Sequence, residues 1–293
     1  MATRNPLRSP RLIQARRKMF KMRFIIAGVL ILATLIGIVS FTRMDALTIK
    51  EVRVEASETF PKQEALALIE GVLDESYLWL FPKRNALLYP EQFIVKELTE
   101  QFPRSESVTI HREGFEGLSV SFKERKPHVL WCAHQEEEKE QVGEGKATDT
   151  PKFIPERCYF ADEKGFIFAP APGFSGSAYL IFYTSPGVDT EGGRVEPIST
   201  QIIDEATFAS LNAFIASIGK LGLAARTVFI QNDYYEVQLA GGARIIIPRD
   251  KPFGDVLEIV QSVLAESAFD TAGIEGIEYI DLRFGKKVYY KRK

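Results

Sequence analysis

Phe24–Phe41 reads FIIAGVLILATLIGIVSF, with no charged residue and with Thr34 and Ser40 as its only hydroxyls. At a rise of about 1.5 Å per residue, a helix of this length reaches about 27 Å, close to the ~30 Å hydrocarbon core of a bilayer. Lipid offers a backbone amide no partner, so a single apolar run of this kind is helical. A core helix of a soluble domain keeps a polar face, and this run has none. Arg4, Arg8, Arg11, Arg16, Arg17, Lys18, Lys21 and Arg23 precede it, with no acid among them. Positive residues stay on the cytoplasmic side, which places the N-terminus inside and everything after about Arg43 outside. A cleavable signal sequence has a shorter apolar region followed by a small-x-small site. Thr42-Arg43-Met44-Asp45-Ala46 supplies no such site. The reading is a retained anchor, with a basic cytoplasmic tail over 1–23 and a transmembrane helix over 24–42.

The net charge of −2 over 293 residues hides an asymmetry. Of 37 basic residues, the eight just named lie in the tail, so the remainder carries a net charge of −10 against its 39 acids. An acidic outer portion excludes nucleic acid, whose phosphates demand a basic surface. The basic tail lies where anionic lipid headgroups attract Lys and Arg. The outer portion is long enough for two modest domains.

Residues 46–126 form the first. Val52 and Val54 alternate with Glu51, Arg53 and Glu55, as in a strand with one buried face. Pro61 opens a helix with Ala65, Leu68, Ile69 and Val72 along one stripe. A second helix starts near Pro90, turns Phe93, Ile94 and Leu98 inward, and ends by Pro103. Two strands follow, around Val108-Ile110 and Leu118-Phe122. Strand–helix–helix–strand–strand is a compact α+β unit.

That order after a membrane anchor resembles a POTRA domain. The chain continues Glu124-Arg125-Lys126-Pro127-His128-Val129-Leu130-Trp131. An E-R-x-P-x-x-x-W run in this place resembles the FtsQ/DivIB family of bacterial cell-division proteins. After the first strand the family usually has Gly, where this chain has Ala56-Ser57.

Residues 127–293 read as a mixed β-sheet domain with two helices. Val129–Cys132, Cys158–Ala161 and Gly165–Phe168 are short strands, and an acidic, disordered loop at 135–152 separates the first two. Thr184–Thr200 is a second loop. A helix spans Asp204–Leu221 and is stopped by Gly222. Val228–Gln231, Tyr234–Leu239 and Arg244–Ile247 are strands, and Pro252 opens a last helix. Ile277–Phe284 and Lys287–Lys291 close the chain as strands. Tyr279-Ile280-Asp281-Leu282-Arg283-Phe284 resembles the family's Y-x-D-L-R-[YF] segment, so the resemblance covers nearly the whole chain.

The residues point away from catalysis. The three histidines, His111, His128 and His134, have no second ligand at metal spacing, so no metal is expected. Gly241-Gly242 has turn spacing rather than that of a phosphate cradle, and no cofactor is expected. Ser217-Ile218-Gly219-Lys220 matches the S-x-x-K of penicillin-binding enzymes, but the companion S-D-N and K-T-G elements are absent from the sequence. Asp281 and Arg283, two residues apart on a strand, read as a structural or surface ion pair. Cys132 and Cys158 bracket the acidic loop on strands expected to pair. They are either a cross-strand disulfide or two buried thiols.

Lys287-Val288-Tyr289-Tyr290-Lys291 alternates as an edge strand does. Lysines on such an edge guard against aggregation, or a partner adds a strand to it. The family resemblance implies the second. FtsB-like and FtsL-like coiled-coil proteins would be held partly through this strand, with Phe284, Lys287, Val288, Tyr289 and Tyr290 as contacts, and other division proteins through the POTRA domain. The expected function is a non-catalytic division scaffold in the cell membrane at the septum, helping to control septal peptidoglycan synthesis. The alternatives are a membrane-anchored cell-wall enzyme and a POTRA chaperone of outer-membrane assembly. The latter usually carries tandem POTRA copies or a β-barrel.

Overall fold

The computed structural model describes residues 10–133, 157–173, 178–185, 196–265, 276–285 and 287–293, with side chains from 18 onward. The class is mixed α+β, with five α-helices among the described residues. The predicted acidic loop 135–152 and most of the loop after Thr184 lie outside them. Two compact units emerge, one of Met1–Gln101 with Ser107–Lys123 and the other of Phe102–Glu106 with Glu124–Lys293. The sequence reading draws one boundary, after Lys126.

Helix α1 (Pro10–Thr42) opens the first unit. Its portion Lys18–Thr42 is long and apolar enough to cross a membrane and is not buried by protein. The helix starts well before Phe24, within the basic tail over 1–23. Pro10 suits a first helical position, and the Gln, Ala, Arg, Lys and Met residues that follow are strong helix formers.

Strand β1 (Glu51–Glu55) and helix α2 (Lys62–Leu73) follow, with Pro61 as N-cap. Ala65, Ile69 and Leu73 form the buried stripe of α2. Helix α3 (Glu91–Gln101) buries Ile94 and Leu98, while Phe93, predicted inward, is 46% exposed. Between the helices lies a hairpin absent from the sequence reading, β2 (Ser76–Tyr77) and β3 (Phe81–Pro82). Strands β4 (Ser105–Glu113) and β5 (Gly117–Glu124) complete a three-stranded sheet ordered β1-β5-β4, with β1 and β5 parallel. Asn85, 1% exposed, is satisfied at both ends of its amide. Its Nδ2 donates to the Thr42 carbonyl at 2.8 Å, and its Oδ1 accepts from Leu87 N at 2.8 Å.

Among the described residues, the second unit is built on nine strands: β6 (Val129–Ala133), β7 (Cys158–Ala161), β8 (Ile167–Pro170), β9 (Ile181–Thr184), β10 (Ala225–Ile230), β11 (Tyr234–Leu239), β12 (Arg244–Pro248), β13 (Ile277–Asp281) and β14 (Tyr289–Arg292). They form one mixed sheet ordered β14-β13-β12-β11-β10-β9-β6-β7-β8. Helices α4 (Glu205–Lys220) and α5 (Phe253–Leu264) supply Phe208, Leu211, Phe214, Ile218, Val256 and Val260 to its core. Phe208 and Phe182, both fully buried, meet at 5.3 Å between ring centroids.

Local chemistry explains the ends of α4. The Asp204 side chain caps it by accepting from Thr207 N at 2.9 Å. At the other end, Gly222 has φ +84°, its N–H bonds the Gly219 carbonyl, and Leu223 N reaches back to Ile218 O. These two bonds make a Schellman motif, with Leu223 and Ile218 as its apolar contact. Gly165 is constrained more tightly. Its φ is +80°, and a Cβ there would lie 2.9 Å from Cγ of Phe208.

Arg125 of the E-R-x-P run is a packed, internal cation of this unit. It pairs with Asp162, with side chains 14% and 8% exposed. Its Nε donates to the Pro103 carbonyl at 3.1 Å, and its guanidinium lies 4.1 Å from the Phe166 ring centroid. The other carboxylate oxygen of Asp162 accepts from the backbone N–H groups of Lys164 and Phe166.

Candidate partner-binding edge

Among the described residues, strand β14 ends the large sheet and has one strand neighbour, β13. The two are antiparallel, with Asp281 opposite Tyr289, Ile280 opposite Tyr290 and Tyr279 opposite Lys291. The turn between them uses Gly285 at φ +69° and a bond from Lys287 N to Phe284 O. Lys251 braces this turn, donating to the carbonyls of Leu282 at 3.3 Å and Gly285 at 2.7 Å.

Strand β13 stops at Asp281, three residues short of the predicted strand end. The Asp281 carboxylate accepts the backbone N–H of Arg283 at 3.1 Å and its guanidinium at 2.7 Å, which turns the chain out of the ladder. Burial pushes the Asp281 carboxyl up, and the side-chain and backbone hydrogen bonds from Arg283 outweigh it, holding the pKa below the usual range. Arg283 in turn lies over the Tyr234 ring at 4.9 Å and beside Phe284 at 5.7 Å. The pair is a bracket for the loop before the edge strand.

The candidate contacts fall in two groups. Phe284, Tyr289 and Tyr290 are 55%, 49% and 45% exposed, and Phe284 meets Tyr289 edge-on at 5.0 Å. Lys287 is exposed beside them. Val288 is half-buried against the core, before β14 begins, so its side chain faces inward. Strand β14 is also shifted from the predicted Lys287–Lys291, because the turn occupies Lys287 and the strand runs on to Arg292.

Charge fastens the strand to its neighbours. Lys291 pairs with Glu278 at 2.8 Å, Glu278 with Arg244 at 3.6 Å, and Arg244 with Glu236 at 3.6 Å. This chain of alternating sign crosses β14, β13, β12 and β11. The hydrogen bond and charge of Lys291 hold Glu278 below the usual carboxylate range, and those of Glu278 raise Lys291.

No family model matches the chain, and no curated protein matches it.

Ser217 donates its hydroxyl to the Ala213 carbonyl at 2.8 Å, one turn back in α4, an ordinary bond for a helical serine. It lines an open cleft of about 780 Å³ with Phe214, Tyr235, Arg249, Lys251 and Phe253. No group of three or more His, Cys, Asp or Glu side chains able to hold a metal occurs among the described residues. Cys132 and Cys158 are register partners across β6 and β7, and their sulfurs are bonded. Sequence reasoning missed the Lys251 brace and the stacking of Arg283 on Tyr234. Both join residues more than thirty positions apart and leave no local signal.

Proposed function

We propose that this protein is a non-catalytic, single-pass membrane protein of the FtsQ/DivIB kind, which binds other division proteins outside the membrane. The observation that carries the reading is the terminal strand β14, a sheet edge flanked by exposed Phe284, Tyr289 and Tyr290. Strand addition needs such an edge, because backbone groups supply affinity and alternate side chains supply selectivity. Clustered exposed aromatics are the residue types that dominate binding energy at interfaces. The bracket at Asp281–Arg283 and the Lys251 brace hold the edge in place before a partner arrives, which lowers the ordering cost of binding.

In this reading α1 spans the cell membrane with the basic tail in the cytoplasm, and the two units lie outside. The first unit is the POTRA domain and receives further division proteins. The second holds FtsB-like and FtsL-like coiled-coil partners at β14, positioning them at the septum where peptidoglycan is made. No cofactor or nucleic acid takes part. The test is co-purification of the full chain from membranes of cells producing those partners, with a β-lactam probe in parallel. Recovery of FtsB-like or FtsL-like proteins without covalent labelling supports the scaffold. Labelling at Ser217 would replace it with a cell-wall enzyme.

A further inference from the structure

The hairpin between α2 and α3 carries Tyr77-Leu78-Trp79-Leu80 at its tip. Leu78 and Trp79 are 81% and 91% exposed, the two most exposed large apolar residues among those described. Their backbone is unusual as well. Leu80 N bonds Tyr77 O, closing a turn whose central residues have φ +50° and +60°. Positive φ at both central positions is the requirement of a type I′ turn, which favours Asn-Gly and disfavours bulky side chains. Neither burial nor backbone preference supports Leu and Trp here, so an outside surface has to account for them.

The position of the tip identifies that surface. Arg43 directly follows the last residue of α1, and its guanidinium donates to the carbonyls of Trp79 at 3.1 Å and Leu80 at 3.3 Å. Asn85, just past the hairpin, holds the Thr42 carbonyl. The tip is therefore tied to the exit of the apolar helix. A basic residue ending a span belongs in the headgroup layer. Trp, with an apolar body and one N–H, is a residue of that same layer.

We propose that the Leu78–Trp79 tip inserts into the outer bilayer interface beside α1, as a second membrane contact that orients the first unit on the membrane. The inference rests on α1 being a membrane anchor. Its ligand is lipid, recognised by apolar and indole surface, and a protein covering the tip is the competing outcome.

The experiment uses the full chain in vesicles of phosphatidylethanolamine and phosphatidylglycerol, with a series containing lipids brominated high on the acyl chain. Wild type is compared with Trp79→Phe. The other tryptophan, Trp131, is 6% exposed and common to both, so the difference spectrum reports Trp79. The expected result is a blue-shifted Trp79 component, quenched by the brominated lipid and shielded from aqueous iodide. A component quenched by iodide and indifferent to brominated lipid would overturn the proposal. Flotation separates the two levels of failure. A chain that floats with vesicles but leaves Trp79 in water retains the anchor and loses the tip contact. A chain that does not float overturns both.

Discussion

Replacing Arg125 with alanine removes the partner of a carboxylate that stays buried. Asp162 keeps its two backbone N–H bonds, both to the oxygen that Arg125 does not hold, while the other oxygen loses its partner at 8% side-chain exposure. Breaking a buried pair from one side costs about 3–5 kcal/mol, and the surviving bonds point to the lower end. The Pro103 carbonyl also loses its donor, and the guanidinium leaves the face of Phe166. A loss of about 3 kcal/mol corresponds to a fall of about 6–12 °C in Tm for a unit of this size. The assay is urea unfolding of residues 46–293, which retain every buried core residue described, since these begin at Ile49. Trp131, inside the second unit, is the reporter. Asp162→Ala and the double variant complete a cycle, in which the double loss should fall short of the summed single losses by about 1–3 kcal/mol. An Arg125→Ala loss below about 1 kcal/mol, additive with Asp162→Ala, would refute the claim that the two charges depend on each other.

Gly165→Ala should lower stability by about 2–4 kcal/mol, combining a left-handed backbone with a methyl driven into the Phe208 ring, as read from the same urea midpoint. Reducing the Cys132–Cys158 bond, or replacing both with Ala, should cost about 3 kcal/mol for a loop closed over 26 residues. Equal midpoints with and without reductant would contradict that. Glu278 sits below its ordinary value of 4.5 and Lys291 above 10.5. The carboxylate's contribution is full above 4.5 and lost as pH falls through its lowered pKa. The ammonium's is full below 10.5 and lost as pH rises through its raised pKa. Amide protection in β14 should therefore hold between these limits and drop outside them. Glu278→Gln should remove the acid limb.

What the sequence made legible follows how local each cause is. The span of α1 and the stop of α4 at Gly222 rest on residues adjacent in the chain, and both could be read directly. The β2–β3 hairpin was missed because Leu78-Trp79 occupies a turn where the sequence signal would be Asn-Gly. Strand β9 was missed because three apolar residues and a threonine between loops have no period to read. The predicted strand through Phe284 ran too long because apolar alternation continues there, while the Asp281 carboxylate takes the Arg283 N–H out of the ladder. At the candidate edge, the alternation and the aromatic residues were visible in the sequence, whereas their exposure came from the structure. The inward turn of Val288 was not, because it depends on where the turn after Asp281 ends. Arg125 stood out as part of a motif, but its partner Asp162 lies 37 residues away and could be found only in three dimensions.

Two proline variants, set against each other, test strand addition at β14. Adjacent residues of an antiparallel strand turn their N–H groups to opposite sides, so of Tyr289→Pro and Tyr290→Pro one strikes the β13 ladder and the other the outer edge. Residues 46–293 of each variant are used to capture purified FtsB-like and FtsL-like partners, alongside urea midpoints. The expected result is capture by wild type, and its loss in the variant whose midpoint is unchanged. Capture that survives in that variant, or a wild type that captures neither partner, would contradict it.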